Sequence, residues 1–144
     1  MKLLILILAL AIALTTTVRA QAGAQKYVSA REILRDFEQV RTAPYFIFEA
    51  TASDEAAFSI ELAFRSLLKS PSAAAQCKKL VAGGSPAGQL YGLLGLKILN
   101  DPAYASLSER YVASRSYVPV FVSPAASDRP VSMLASEINK GNIK

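Results

Sequence analysis

The chain contains no histidine, no tryptophan and a single cysteine, Cys77, among its 144 residues. Each absence removes a class of chemistry. Without histidine the commonest general base is gone, and with it Ser–His–Asp and Cys–His catalysis and every zinc site that needs an imidazole. One cysteine makes neither a thiolate cluster nor an internal disulfide, so the fold holds by packing alone. Cys77 sits on an apolar helical stripe, where a buried inert thiol is expected. There is no N-x-S/T sequon. Apolar runs are also short: after the first fourteen residues nothing approaches the length of a membrane span.

The first twenty residues form a separate unit. Lys2 gives a short positive start, Leu3 to Leu14 are an unbroken apolar run, and Val18-Arg19-Ala20 supplies small residues before a cleavage point. That is the pattern of a secretory signal peptide. Cleavage after Ala20 is expected, with Ala20-Gln21-Ala22 and Ala22-Gly23-Ala24 as further sites; an uncleaved anchor is the alternative. Losing Lys2 and Arg19 lowers the formal charge from +5 to +3. The remaining charges are scattered, which argues against a nucleic-acid partner. The expected organisation is a signal peptide over 1–20, a loose N-terminus over 21–28 and one helical domain over 29–144. The expected location is exported, periplasmic or secreted, with no membrane span after cleavage.

Helix signals recur along that domain. Ser29 and Glu32 make an S-x-x-E capping box, with Val28 and Ile33 as a hydrophobic staple. Ala30, Ile33, Leu34, Phe37 and Val40 form its apolar stripe. Glu32 and Asp36, flanked by Arg31 and Arg35, read as a salt-bridged surface. Ser53 caps a second helix with Ala57, Ile60, Phe64, Leu67 and Leu68 inward. Ser72 starts a third, with Ala73, Cys77, Leu80 and Val81 inward. Ser85 with Pro86 starts a fourth. Asp101-Pro102 starts a fifth, carrying Tyr104, Leu107 and Tyr111 on one side. Pro71, Pro86 and Pro102 are spaced 15 and 16 residues apart, the rhythm of stacked helical hairpins. Over 117–122 valines alternate with Tyr117, Pro119 and Phe121; Pro119 demotes this segment to an edge strand or extended piece. A small ribbon with 45–50 is a possible pairing for it. SPAASDRP reads as a loop ending in an Asp128 cap for a last helix with Val131, Leu134, Ala135 and Ile138 inward. The expected fold is all-α, a small stack of antiparallel helical hairpins, with one short extended or β segment near 117–122.

GGSPAGQLYGLLGLKIL, residues 83–99, has the glycine density of a phosphate loop, but not its spacing. Gly84 to Gly88 is the wrong interval, no lysine follows, and the preceding residues read as helix. As a helix, Gly88, Gly92 and Gly95 line one face. Each costs on the order of 1 kcal/mol of helix propensity against alanine, which close approach of a neighbouring backbone offsets. Leu90, Tyr91, Leu94 and Ile98 occupy the other face, so this helix is expected at the centre of the stack.

The segments AFRSLLKSP (63–71) and SPAGQLYGLLGL (85–96) resemble a group of functionally uncharacterised exported bacterial proteins with an AFR…LL…TPAGxLYxLxGL pattern. The likeness covers about residues 45–115. It implies a helical, HEAT-like body and an envelope context, and brings no activity. Such proteins often carry a cysteine after the fifth helix, where this chain has Phe121, Val122 and Ser123.

Little in the residues points to catalysis. Ser66-Leu67-Leu68-Lys69 matches S-x-x-K, but it ends a helix and lacks the motif's partners. Glu49, Asp54 and Glu55 cluster at a helix start, where dipole capping explains them without a metal. No cofactor is expected. Tyr91, Tyr104, Tyr111 and Tyr117, with Phe121, are the candidate ligand or partner surface, since tyrosine joins apolar area to a hydrogen-bonding tip. The expected function is a non-enzymatic binding or scaffold module for a protein, peptide or glycan of the cell envelope. The alternatives are a small envelope enzyme using carboxylate, serine or tyrosine groups, and an inhibitor or accessory subunit of an envelope enzyme.

Overall fold

A computed structural model describes residues 29–49, 55–122 and 125–143. The signal segment, residues 21–28, Val28 of the staple and the Ser53 cap lie outside the described residues, as do Asp54 and the Glu49 side chain.

Six helices form among the described residues: α1 (Ala30–Arg41), α2 (Glu55–Leu68), α3 (Ala73–Gly83), α4 (Pro86–Ile98), α5 (Ala103–Val112) and α6 (Val131–Lys140). Three short strands accompany them: β1 (Phe46–Glu49), β2 (Tyr117–Val122) and β3 (Ala125–Pro130). The fold is thus mostly helical, with a strand over 117–122 as the sequence predicts.

The α4 helix is the axis of the body. Every residue from Ala87 to Leu96 is buried except Gln89, as an all-round apolar helix requires. Its glycines do what their spacing predicts, against two different neighbours. A Cβ at Gly88 would lie 2.8 Å from the carbonyl oxygens of Val40 and Arg41 at the end of α1. A Cβ at Gly92 would lie 2.7 Å from the Cys77 carbonyl and 2.8 Å from the Val81 nitrogen of α3. At Gly95 it would strike the Cys77 sulfur. Cys77 faces Gly95 and Val81 faces Gly92, so α3 and α4 run antiparallel in backbone contact. The α4 and α5 helices are also antiparallel: Gln89 meets Tyr111, and Lys97 lies over Tyr104.

The caps follow the sequence in part. Ser29 and Glu32 form the complete capping box. The Ser85 side chain accepts from the Gly88 N–H at 3.0 Å. It also donates to the Ala43 carbonyl at 2.7 Å, tying α4 to the turn after α1. Ser72 makes no side-chain cap bond. The apolar stripe of α1 is graded. Ala30 and Leu34 are exposed, Ile33 and Phe37 half-buried and Val40 fully buried, because α1 meets the body through its C-terminal end. Asp36 accepts from Arg35 at 3.1 Å as the flanking charges predict, but its carboxylate is buried rather than on the surface, and Glu32 serves the capping box.

The sheet order is β1-β2-β3. β1 runs parallel to β2, placing Phe46 opposite Val120 and Ile47 opposite Phe121. β3 runs antiparallel, placing Val122 opposite Ala125 and Tyr117 opposite Pro130. Two expectations are corrected here. β2 is the central strand, and it tolerates Pro119 because its pairing with β1 begins only at Val120; beside Pro119 the strand is still an edge. The segment 125–130 is a strand, and Asp128 lies within it, opposite Pro119. The last helix therefore starts after Pro130, where the Val131 N–H bonds the Ser116 carbonyl at 2.9 Å. Its inward set of Val131, Leu134, Ala135 and Ile138 is as predicted.

Candidate functional site

The five aromatic candidates do not share one surface. Tyr91 is buried in the core, its ring 4.8 Å from Phe46 and 5.0 Å from Phe64. Phe121 is buried against Tyr45, ring centres 5.5 Å apart. Tyr104 lies half-buried under the Lys97 ammonium, 4.9 Å from the ring centre, beside a shallow pocket of about 200 Å³. Only Tyr111 and Tyr117 line the same groove. The correction has a simple cause: Tyr91 sits on the central helix and is packed into the core, while Tyr104 and Tyr111 lie two turns apart on α5, which runs antiparallel to α4 and so sets them at opposite ends of it, beside Lys97 and Gln89.

That groove has a volume of about 410 Å³. Its walls come from the end of α3 (Val81, Ala82), the start of α4 (Pro86, Gln89), the end of α5 (Arg110, Tyr111), the connection that follows (Ser114, Ser116), the first residue of β2 (Tyr117) and Val131. Tyr111 is buried; its hydroxyl lies 3.0 Å from Gln89 Oε1 and 3.3 Å from the Val81 carbonyl. One proton serves these two acceptors. Burial pushes the Tyr111 phenol up from its ordinary range against the opposing pull of Arg110, so it stays a neutral donor at physiological pH. Gln89 is fixed from its other end, where Nε2 donates to the Gly84 carbonyl at 3.0 Å. Arg110 stacks over the Tyr111 ring at 5.1 Å, a cation–π arrangement. Tyr117 stands at the rim with 64% of its surface exposed.

Arg110 Nη2 donates to the Val81 carbonyl at 3.5 Å and to the Tyr111 hydroxyl at 3.4 Å rather than to a carboxylate. Five ion pairs form among the described residues, and none includes Arg110, Arg115 or Glu109. Arg115 lies between the lining residues Ser114 and Ser116, and is exposed. Arg110 and Gln89 are members of this site that sequence reasoning missed. Gln89 lies 22 positions from Tyr111, and no periodicity links the two helices.

A second cavity of about 470 Å³ opens on the other flank of α4, with Tyr91 in its wall. Among the described residues no group of three metal-ligating side chains assembles, and no helix is long and apolar enough to cross a membrane. The carboxylates with displaced titration all move down. Glu38 is held by Arg41, Asp101 by the Ala103 N–H and then Lys78, and Glu137 by the Asn142 amide and then Lys140. None is poised as a proton donor near neutrality.

The fold and groove define a small, mostly helical domain with a polar, cationic, aromatic-rimmed cleft. No family model, no curated protein and no solved structure matches the chain, so its functional reading rests on this geometry.

Proposed function

We propose that the chain is an exported, non-enzymatic binding module of the bacterial cell envelope, and that its groove takes a carboxylate-bearing peptide or glycan. The carrying observation is that Arg110, which has no carboxylate partner among the described residues, lines the groove together with the exposed ring of Tyr117, with Arg115 exposed in the adjoining segment. A guanidinium recognises a carboxylate through charge-assisted hydrogen bonds, and an exposed tyrosine offers a flat apolar face with a polar tip. Ser114, Ser116 and Gln89 add neutral hydrogen-bonding groups. The signal-like leader and the resemblance to exported proteins support the envelope setting. The lack of histidine and the downward carboxylate shifts support binding over catalysis. An inhibitor role would be favoured by a continuous apolar patch from Tyr117 to Phe121. Phe121 and Val120 are buried, so no such patch forms.

The test is a titration of the purified protein with hexaglutamate and, in parallel, an oligogalacturonate, read by backbone amide NMR. Binding should shift the amides of residues 110–117. It should weaken steeply with added salt and fall about tenfold in Arg110→Ala or Tyr117→Ala, a loss of about 1.4 kcal/mol. The better probe tells peptide from glycan. Absence of saturable shifts with both probes, or indifference to both substitutions, would overturn the reading. Purification of the tagged protein from the soluble envelope fraction, with intact mass, tests export separately. A mass starting at Gln21 is expected, and retention of Met1 in the membrane pellet would refute cleavage.

A further inference from the structure

The second cavity has a different chemistry. It is walled by Ile47 of β1, Phe64 and Leu68 of α2, Leu94 and Ile98 of α4, and Ile143 behind α6, with the Glu61–Arg65 pair and Asn142 also in its lining. Its volume of about 470 Å³ lies in the range of small-molecule sites, roughly 300–1,000 Å³. Ile98 remains 42% exposed although it belongs to the central helix, so an apolar side chain stands open at this flank.

The polar group inside is Tyr91. Its hydroxyl accepts from the Ile47 N–H at 3.1 Å, and among the described residues nothing accepts the hydroxyl's own proton. Tyr91 lines the cavity together with Ile47, whose N–H it accepts, and Glu61. The residue that carries the hydroxyl and the residue that bonds it are thus both part of the cavity lining. Tyr91 is 2% exposed, and burial pushes the phenol far above its ordinary range, keeping it protonated. A hydroxyl that accepts one hydrogen bond still has its own proton to donate, and a ligand oxygen in the cavity would accept it.

Charge narrows the ligand. Arg65 is held by Glu61, Nε to Oε1 at 2.9 Å, so the cavity offers no spare cation. The Glu61–Arg65 pair is net neutral, so the cavity offers a ligand carboxylate no net positive charge, whereas a neutral carbonyl needs none. We propose that this cavity is a second ligand site that takes an aliphatic chain joined to a neutral amide or ester carbonyl, the carbonyl oxygen accepting the Tyr91 hydroxyl proton and the chain lying on Phe64, Leu68, Leu94 and Ile98. It is independent of the cationic groove and of what fills that groove.

The probe is N-octanoylglycinamide, with octanoate as the anionic comparison. Titration followed by methyl and amide NMR should give saturable shifts at the Ile47 amide and at the Leu94, Ile98 and Ile143 methyls, and leave Tyr111 and Tyr117 still. Tyr91→Phe keeps the ring and removes the donor, and should weaken binding at least tenfold. That variant also strips the Ile47 N–H of its partner, so Leu68→Phe is the second arm. Leu68 is only partly buried, and the larger ring should fill the cavity and abolish binding in a protein that folds by near-ultraviolet dichroism. No saturable shift up to the solubility limit would overturn the proposal. So would tighter binding of octanoate, unchanged affinity in a folded Tyr91→Phe protein, or unchanged affinity in Leu68→Phe.

Discussion

Gly92 and Gly83 are both helical glycines, yet they answer to opposite physics. A Cβ at Gly92 would press on the backbone of α3 at 2.7 and 2.8 Å, and backbone cannot rotate away. A Cβ at Gly83 would meet nothing within 4 Å. Gly92→Ala should therefore destabilise by about 1–3 kcal/mol through overpacking, despite gaining helix propensity. Gly83→Ala should stabilise by roughly 0.5–1 kcal/mol. Urea denaturation of the two variants checks both signs; a stable Gly92→Ala protein would mean that α3 and α4 sit further apart. Cys77 belongs to the same contact. Burial pushes its thiol up to about 11, so little thiolate exists at neutral pH. Labelling by a disulfide reagent should be slow in the native protein and fast in urea; fast native labelling would contradict the buried position. The sequence made these residues legible because glycine spacing and the apolar stripe around Cys77 are local patterns.

Helix junctions carry the electrostatics. Between α4 and α5, Asp101 accepts from the Ala103 N–H at 2.9 Å and pairs with Lys78 at 3.0 Å. The N–H bond first, and Lys78 second, hold its carboxyl below the ordinary value. Glu38 and Glu137 are lowered likewise. A carboxylate with a depressed native pKa stabilises the fold above its unfolded pKa, near 4, and loses that contribution as pH falls through the native value. Stability should thus decline below about pH 4, and Asp101→Asn should flatten the decline in urea midpoints measured from pH 5 to pH 2. An unchanged slope would remove Asp101 from the account. The Asp101-Pro102 device was visible in sequence. Lys78 was not, since it reaches Asp101 from a different helix.

Residues 141–143 close one wall of the described body. After α6, Gly141 adopts a left-handed conformation, φ 78°, which turns the backbone so that Asn142 bonds back to Glu137 and Ile143 is buried. Ile143 there forms part of the wall shared with β1, α2 and α4. Ile143→Ala should cost about 2 kcal/mol, and the Ile47 amide should become exchangeable at a faster rate by hydrogen exchange. Equal stability would show that the tail is dispensable. A glycine at a helix end is readable as a stop; where the next two residues go is not.

Local spacing specified the helices, most of their inward faces, the capping box at Ser29 and Glu32, and the tight approach along Gly88, Gly92 and Gly95. All of these depend on residues three to seven positions apart, where the helical period translates spacing directly into direction. Spacing offered 45–50 as a partner for 117–122, but the parallel sense, the register that sets Phe46 opposite Val120 and the strand over 125–130 came only with the tertiary structure. It alone separated the tyrosines, joined Tyr111 to Gln89 and Arg110, and set the Tyr91 hydroxyl against Ile47. Strand pairing and site assembly are matters of register between distant segments, and short polar stretches such as AASDRP carry no period that would announce their partner.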